Sequence, residues 1–239
     1  MSEWKMKRFW TKAEVAQAGA GFCVQLDGRS IKTPGKADLI VPTRALAEAM
    51  AGEWAAQDGE VRPETMPVTK SANSAIDKVT VQHGEVAQML AGYAETDLVC
   101  YRASHPEALR ARQGEAWDPL LAWCSAAYGA PLDPVTGVMF APQRPESLAA
   151  IGARIHGLDA FALTGMHELI TLTGSAVLGL AIFDGHLSAT AAWDLSRIDE
   201  TWQAEQWGED DEANQMAEAK KQGLLHGARF CELLVQTAS

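Results

Sequence analysis

The sequence predicts an α+β protein in which a small β-rich N-terminal domain precedes a larger, all-helical C-terminal domain. All ten prolines lie at or before Pro145. Because proline interrupts helices, this distribution indicates a turn-rich front and a helical back. Phe22–Leu26 alternates apolar and polar residues as a strand does, whereas apolar residues after Thr69 recur at helical spacing. We expect residues 1–65 to form the β-rich domain with one helix, and residues 66–239 to form the helical domain.

The β-rich domain is predicted to contain a β-meander. The alternating strand is followed by the dipeptide Asp27-Gly28, which favours a two-residue hairpin turn, and Arg29–Thr33 then forms the return strand. After a second turn, Asp38–Pro42 is a further strand, and Lys7–Trp10 is a candidate for an additional one.

One helix completes this domain. Thr43 is placed to cap its first turn, and Leu46, Met50 and Trp54 follow at intervals of four residues on one face. This spacing predicts that the Trp54 ring lies in the core. The proline-containing stretch 60–67 cannot be helical throughout, and we predict that it links the two domains.

Two features of the helical domain carry structural expectations. Leu169–Phe183 contains no charged residue over 15 positions, which is too short to span a bilayer, so we predict one buried core helix. Upstream, Asp97 and Arg102 are predicted to form an ion pair that pins two helices, with Ser74 and Asp77 capping or bracing beside it.

Composition excludes several classes of partner. The formal net charge of -11 and the lack of any long Lys/Arg run argue against nucleic acid and against an anionic membrane surface. Four scattered cysteines, with no CxxC pair, are typical of small core residues in a reducing compartment. They are Cys23, Cys100, Cys124 and Cys231.

The first ten residues suggest a location. They contain neither the apolar core of a secretory signal nor a long presequence rich in arginine and serine. We therefore expect a bacterial cytoplasmic protein, or a protein from which a presequence has been removed.

The chain lacks the sequence marks of a metal, nucleotide or nucleophile site. His167-Glu168 begins like a zinc-protease motif, but position 171 is Thr and cannot supply the second ligand. No phosphate-binding glycine loop is present. We expect no enzyme activity, cofactor, metal or nucleotide. One alternative is a hydrolase that brings Asp97, Glu168 or Asp199 together in a cleft, and another is a structural subunit of a complex.

An acidic-aromatic segment, residues 199–212, marks a candidate contact surface. It contains seven carboxylates, no basic residue and two tryptophans. The carboxylates at 209–212 also suit the opening of a final helix, because acidic groups favour helix N-termini. Trp202 and Trp207 are five residues apart, about 140° around a helix. We predict that Trp202 points inward and Trp207 outward.

Several polar-aromatic clusters together resemble one known family, over essentially the whole chain. The family is the assembly chaperone for the α subunit of the catalytic head of F-type ATP synthase, called assembly factor 2 in mitochondria. The clusters are Phe9-Trp10, Leu26-Asp-Gly-Arg29 with Lys32-Thr-Pro34, Glu53-Trp54 with Gln57, Met66-Pro67 with Thr69, Ala72–Asp77, Tyr93 with Thr96–Leu98 and Cys100–Arg102, Trp117–Pro119 with Trp123, and Asp199-Glu200 with Gln203 and Trp207-Gly208.

The resemblance implies a two-domain chaperone without enzymatic activity or a nucleotide requirement. Its implied partner is the newly made α subunit, which it would keep soluble until the β subunit arrives. An unassembled subunit exposes an apolar interface. A surface of tryptophan anchors with a rim of carboxylates suits a chaperone that must cover this interface reversibly. On this basis we assign partner binding to five residues of the acidic-aromatic segment, namely Glu200, Gln203, Glu205, Trp207 and Glu209.

Overall fold

The computed structural model describes residues 7–235 and divides them into two compact units. The first unit takes in the chain up to His83 together with Ala160–Thr164 and the stretch that starts at Arg229. The second unit consists of Gly84–Asp159 and Gly165–Ala228. The predicted domain boundary after residue 65 stays a prediction. The residues on both sides of it lie in the first unit.

The first unit contains a four-stranded antiparallel sheet. Its strands are β1 (Ala13–Ala18), β2 (Gly21–Leu26), β3 (Arg29–Ser30) and β4 (Ile40–Val41), and β2 pairs with the other three. The predicted hairpin is confirmed, because Leu26 pairs with Arg29 and both turn residues, Asp27 and Gly28, have positive φ.

The predicted strand at Lys7–Trp10 is wrong, because only Lys7 makes an isolated bridge, to Glu60. The sheet takes β1 instead, an alanine-rich stretch whose composition favours a helix over a strand. Its pairing with β2 along six residues decides the conformation.

Helix α1 (Arg44–Ala55) packs against this sheet. Thr43 Oγ1 accepts from the Leu46 backbone N–H at 3.2 Å, as predicted for the cap. Leu46 and Met50 are fully buried, but Trp54 is only partly buried, at the margin of the core. The rings of Trp54 and Trp10 pack edge to face, with centroids 5.2 Å apart, and Trp10 Nε1 donates to the Trp54 carbonyl.

After α1 the chain of the first unit continues through short helical elements, one of which carries Asp77. A 3-10 turn at Pro63–Thr65 leads into α2 (Pro67–Ser74), which continues as a π turn at Ala75–Val79. The Asp77 carboxylate accepts from Thr33 Oγ1 at 2.6 Å and from the Gly35 N–H at 2.8 Å. Asp77 therefore braces the second turn of the meander, and not the Asp97 region as predicted.

The second unit is mainly helical, which confirms the predicted fold class. Its elements, some of which extend into the first unit, are α3 (His83–Gly92), α4 (Glu107–Tyr128), α5 (Pro145–His156), α6 (Ala160–Thr173), α7 (Ala176–Phe183), α8 (Ala189–Ser196), α9 (Ile198–Trp207) and α10 (Asp211–Val235). It also contains a small parallel pair, β5 (Tyr101–Arg102) with β6 (Val135–Thr136), which the sequence did not predict.

The apolar stretch Leu169–Phe183 is largely buried but forms two helices, so the prediction of one helix is wrong. Gly174, with φ +70°, ends α6, and Ser175 caps α7. Gly179 allows α7 to approach α6 closely, since a Cβ there would lie 2.5 Å from Ile170 Cγ1. None of the helices described between residues 7 and 235 is long and apolar enough to cross a membrane.

Asp97 is fully buried beside this break. Its Oδ1 accepts from Ser175 Oγ at 2.5 Å and the Val99 N–H at 3.1 Å, and its Oδ2 accepts from the Val177 N–H at 3.0 Å. Burial raises the pKa of Asp97 to about 6, although these hydrogen bonds oppose the rise.

The predicted Asp97–Arg102 ion pair is wrong. Arg102 instead pairs with Asp118 at 2.7 Å and lies over the Trp117 ring, with its guanidinium carbon 5.1 Å from the centroid. The four cysteines are free and buried, as predicted.

Candidate partner-binding site

The acidic-aromatic segment forms all of α9 after Ile198, a tight turn and the start of α10. Gly208 ends α9 with φ +92°, a conformation that other residues rarely adopt. Asp210 Oδ1 accepts from the backbone N–H groups of Glu212 and Ala213 at 2.9 and 3.0 Å. Part of the acidity therefore opens the final helix, as the sequence suggested.

The two tryptophans of α9 face different surroundings, as predicted. Trp202 is half-buried, whereas Trp207 is 80% exposed. A ring so exposed contributes little to the core of the unit, because most of its apolar area stays in water. Trp207 is therefore the most accessible large aromatic side chain of this segment.

An open cleft of about 680 Å³ lies along α9 and the first half of α10. Its apolar lining includes Trp193, Ile198, Ala204, Trp207, Ala213 and Ala217. Its charged lining is predominantly acidic, with four carboxylates against two guanidinium groups. These are Asp194, Glu200, Glu209 and Asp210 against Arg112 and Arg197. The cleft thus offers apolar contact area within an acidic surround.

Both arginines neutralise a glutamate of α9. Arg112 Nη1 lies 2.9 and 2.8 Å from the two carboxylate oxygens of Glu205. Arg197 Nη1 donates to Glu200 Oε1 at 2.6 Å, and its guanidinium lies over the Trp193 ring. These pairs are partly exposed, so their charges stay in contact with water.

Helix α4 holds α9 and the end of α8 through further contacts. Gln113 is buried, donating from Nε2 to Asp199 Oδ1 at 2.5 Å and accepting the Ala103 N–H at 2.7 Å. Trp117 Nε1 donates to the Leu195 carbonyl at 2.9 Å. Asp199, although part of the acidic segment, is thus a structural acceptor.

The structure brings four of the five predicted partner-binding residues into this cleft. Glu200, Gln203, Trp207 and Glu209 line it, and all four are exposed. Glu205 does not line it but contacts it through Arg112. Their role in binding stays a prediction.

Arg112 and Arg197 are missing from the predicted set. Arg197 directly precedes α9 and stands three residues before Glu200, a spacing that could have indicated the pair. Nothing in the local sequence relates Arg112 to Glu205, 93 residues away.

The three carboxylates named for a hydrolase lie in separate surroundings. Asp97 accepts from the first turn of α7, and Asp199 accepts from Gln113. Glu168 lies against the backbone of Gly227, where an added Cβ would be 2.7 Å from the Cβ of Glu168. In the described part of the chain, no cluster of three or more His, Cys, Asp or Glu side chains could hold a metal ion.

Comparison with known proteins identifies the family. The family model described as ATP12 chaperone protein matches residues 7–125. The crystal structure of Atp12 from Paracoccus denitrificans is 46% identical and has a TM-score of 0.95, with 97% of this chain and 100% of that chain covered. The chain belongs to the ATP12 chaperone family.

Two other proteins extend the likeness. A crystal structure of a protein from Agrobacterium tumefaciens is 40% identical, with a TM-score of 0.90, covering 95% of this chain and 86% of that chain. The mitochondrial Atp12 protein of Schizosaccharomyces pombe is 24% identical over 222 residues, or 88% of this chain and 76% of that protein. Membership makes the protein an assembly chaperone for ATP synthase and not an enzyme.

Proposed function

We propose that this ATP12 chaperone binds the unassembled α subunit of the ATP synthase catalytic head and covers its subunit interface until the β subunit replaces it. The observation that supports this most directly is Trp207, 80% exposed beside an acidic, partly apolar cleft. Exposed aromatic residues of this kind are enriched among binding hot spots.

The cleft suits a client segment that combines apolar and basic side chains. Apolar groups of the client would pack on Trp207 and on the alanines of α9 and α10. A client lysine or arginine would meet Glu209, which is exposed, and would compete with Arg197 for Glu200. The acidic surround then speeds association, and the aromatic anchor slows release.

Reversibility follows from this division of roles. A holdase must yield its client to the proper neighbour, and an interface with one aromatic anchor and solvated charges dissociates faster than a wholly apolar one. Gln203, exposed on the same surface, can donate and accept hydrogen bonds at the edge of the contact.

We propose that binding takes place in the bacterial cytoplasm, or in the mitochondrial matrix if a presequence has been removed. The bacterial and mitochondrial origins of the relatives support both settings.

Capture of purified α subunit by the immobilised protein tests the proposal. Trp207→Ala is expected to raise the dissociation rate about tenfold or more, because an anchor of this kind contributes on the order of 2 kcal/mol. Phe9→Ala, which removes an aromatic ring that is also well exposed, is the matched control and should change nothing. Equal capture by wild-type protein and Trp207→Ala would place the contact elsewhere.

A second measurement separates the chaperone from a structural subunit. Adding β subunit to the captured complex should release the chaperone as α and β assemble. If it remained in the assembled head, the structural-subunit alternative would be correct.

A further inference from the structure

The loop between β6 and α5 presents three consecutive large apolar side chains to solvent. Val138 is 94% exposed, Met139 79% and Phe140 58%. Proteins usually expose such residues singly, so a contiguous apolar run on a loop indicates an interaction surface. We call residues 138–140 the apolar tip.

The base of this loop is held by a set of specific hydrogen bonds. Gln143 is buried, and its side chain accepts the Asp133 N–H at 2.8 Å and donates to the Asp133 carbonyl at 2.9 Å. Arg144 donates to both carboxylate oxygens of Asp133, each at 2.8 Å. The Gly137 N–H donates to the carbonyl of Arg102, whose side chain is buried.

This arrangement presents the apolar tip on a fixed base. Gly137, with φ +89°, turns the chain directly before the tip. A loop whose base is already ordered loses less conformational entropy on binding than a free segment would. The tip itself does not contribute to the base, since its three side chains point largely into water.

Charge distinguishes the partners that could accept the tip. The chain carries a net charge of -11, which opposes approach to an anionic lipid surface, yet residues 134–143 contain no charged side chain. Asp133 and Arg144, which flank this stretch, neutralise each other. An uncharged apolar tip matches an uncharged apolar depression on a protein, and methionine adapts to depressions of irregular shape.

We propose that the apolar tip inserts into an apolar depression on the same ATP synthase α subunit, as a second contact apart from the cleft of α9 and α10. This inference rests on the proposed function for the identity of the client. A subunit awaiting assembly exposes apolar interface, and two separate contacts on one client strengthen binding beyond either alone.

The test replaces Val138, Met139 and Phe140 with serine in one variant and measures α-subunit binding on a surface. The dissociation constant is expected to rise roughly tenfold or more, through faster dissociation and with the same effect at low and high salt. Val81→Ser removes a side chain of equal exposure to Met139, 79%, and should leave the constant within about twofold, the range of a peripheral contact. Circular dichroism confirms that both variants fold.

The outcomes are distinct. Unchanged binding by the triple variant, beside normal binding by wild-type protein, overturns this inference and leaves the proposed function standing. Absence of binding by wild-type protein overturns both. Flotation with vesicles of uncharged phosphatidylcholine is the remaining arm. Tip-dependent flotation of wild-type protein would show that the tip serves a lipid surface and would overturn the inference.

Discussion

Arg112 on α4 places one guanidinium nitrogen 2.9 and 2.8 Å from the two carboxylate oxygens of Glu205 on α9. Glu205 is therefore not a free anion in this protein. Its charge is neutralised by a residue from another helix, whereas Glu209 lies exposed beyond the end of α9, in contact with Asn214. The predicted partner-binding glutamates thus differ in electrostatic state, and their substitutions should have different effects.

Two tryptophans of the first unit should respond differently to replacement by phenylalanine. Trp10 Nε1 donates to the Trp54 carbonyl at 3.3 Å, whereas Trp54 Nε1 is buried without a hydrogen-bond partner in the described structure. Trp10→Phe is expected to lower the free energy of unfolding by about 1–3 kcal/mol, because it removes the hydrogen bond to the Trp54 carbonyl. Trp54→Phe is expected to lower it clearly less, because the Trp54 Nε1 group makes no such bond within the described residues. Urea unfolding of both variants checks this order, and the reverse order would contradict it.

The contribution of Asp97 to the free energy of unfolding should be larger in mild acid than at neutral pH. Burial raises the pKa of Asp97 from 3.8 to about 6, so the folded state binds its proton more tightly than the unfolded chain does. Its contribution to stability is complete below about pH 4 and is lost as pH rises through about 6. The full difference corresponds to about 3 kcal/mol.

The control for this prediction is Asp97→Asn, which cannot titrate. Unfolding free energies of both proteins are measured between pH 4 and pH 8, and their difference isolates Asp97 from the remaining groups. Relative to the variant, wild-type protein should lose stability across this interval. A constant difference would show that Asp97 keeps an ordinary pKa.

Local patterns predicted the parts of the fold that depend on nearby residues. The hairpin at Asp27-Gly28 and the Thr43 cap each involve residues within a few positions, and both are confirmed. β1 could not be predicted in this way, because Ala13–Ala18 has the composition of a helix and becomes a strand only through pairing with β2.

In the candidate site, too, the sequence predicts the features that depend on nearby residues and misses contacts between distant ones. The exposure of Trp207 follows from helical periodicity, and the opening of α10 follows from its run of carboxylates. The side-chain partners of Asp97 and Glu205, however, are Ser175 and Arg112, which are 78 and 93 residues away. No sequence pattern relates such positions, since only the tertiary fold brings them together.

Glu209 should influence the rate of client capture more than the lifetime of the complex. It is exposed, so Glu209→Lys is expected to leave the fold intact and replace attraction of basic client groups by repulsion. Association with the α subunit should slow severalfold at low salt and approach the wild-type rate at high salt, where screening removes the difference. An association rate that is slowed equally at all salt concentrations would contradict an electrostatic role.

A charge exchange between Arg112 and Glu205 tests whether Glu205 touches the client or positions α9. Glu205→Lys alone sets two cations against each other and should weaken capture under either role. The free energy of unfolding of this variant should fall only slightly, by about 0–1 kcal/mol, because the side chains of Arg112 and Glu205 are both partly exposed. The single variant therefore does not distinguish the two roles.

The double variant, Arg112→Glu with Glu205→Lys, restores the pair with its charges exchanged. If Glu205 contacts a basic group of the client, the exchange leaves a lysine facing that group, and capture should stay about tenfold weaker than wild type. If Glu205 only positions α9 through Arg112, the exchange should restore capture together with thermal stability. We expect the first result, because Glu205 shares α9 with Gln203 and Trp207, both exposed. Recovery of wild-type capture by the double variant would assign Glu205 a positioning role, and the proposed contact with the client would then rest on the four residues that line the cleft, Glu200, Gln203, Trp207 and Glu209.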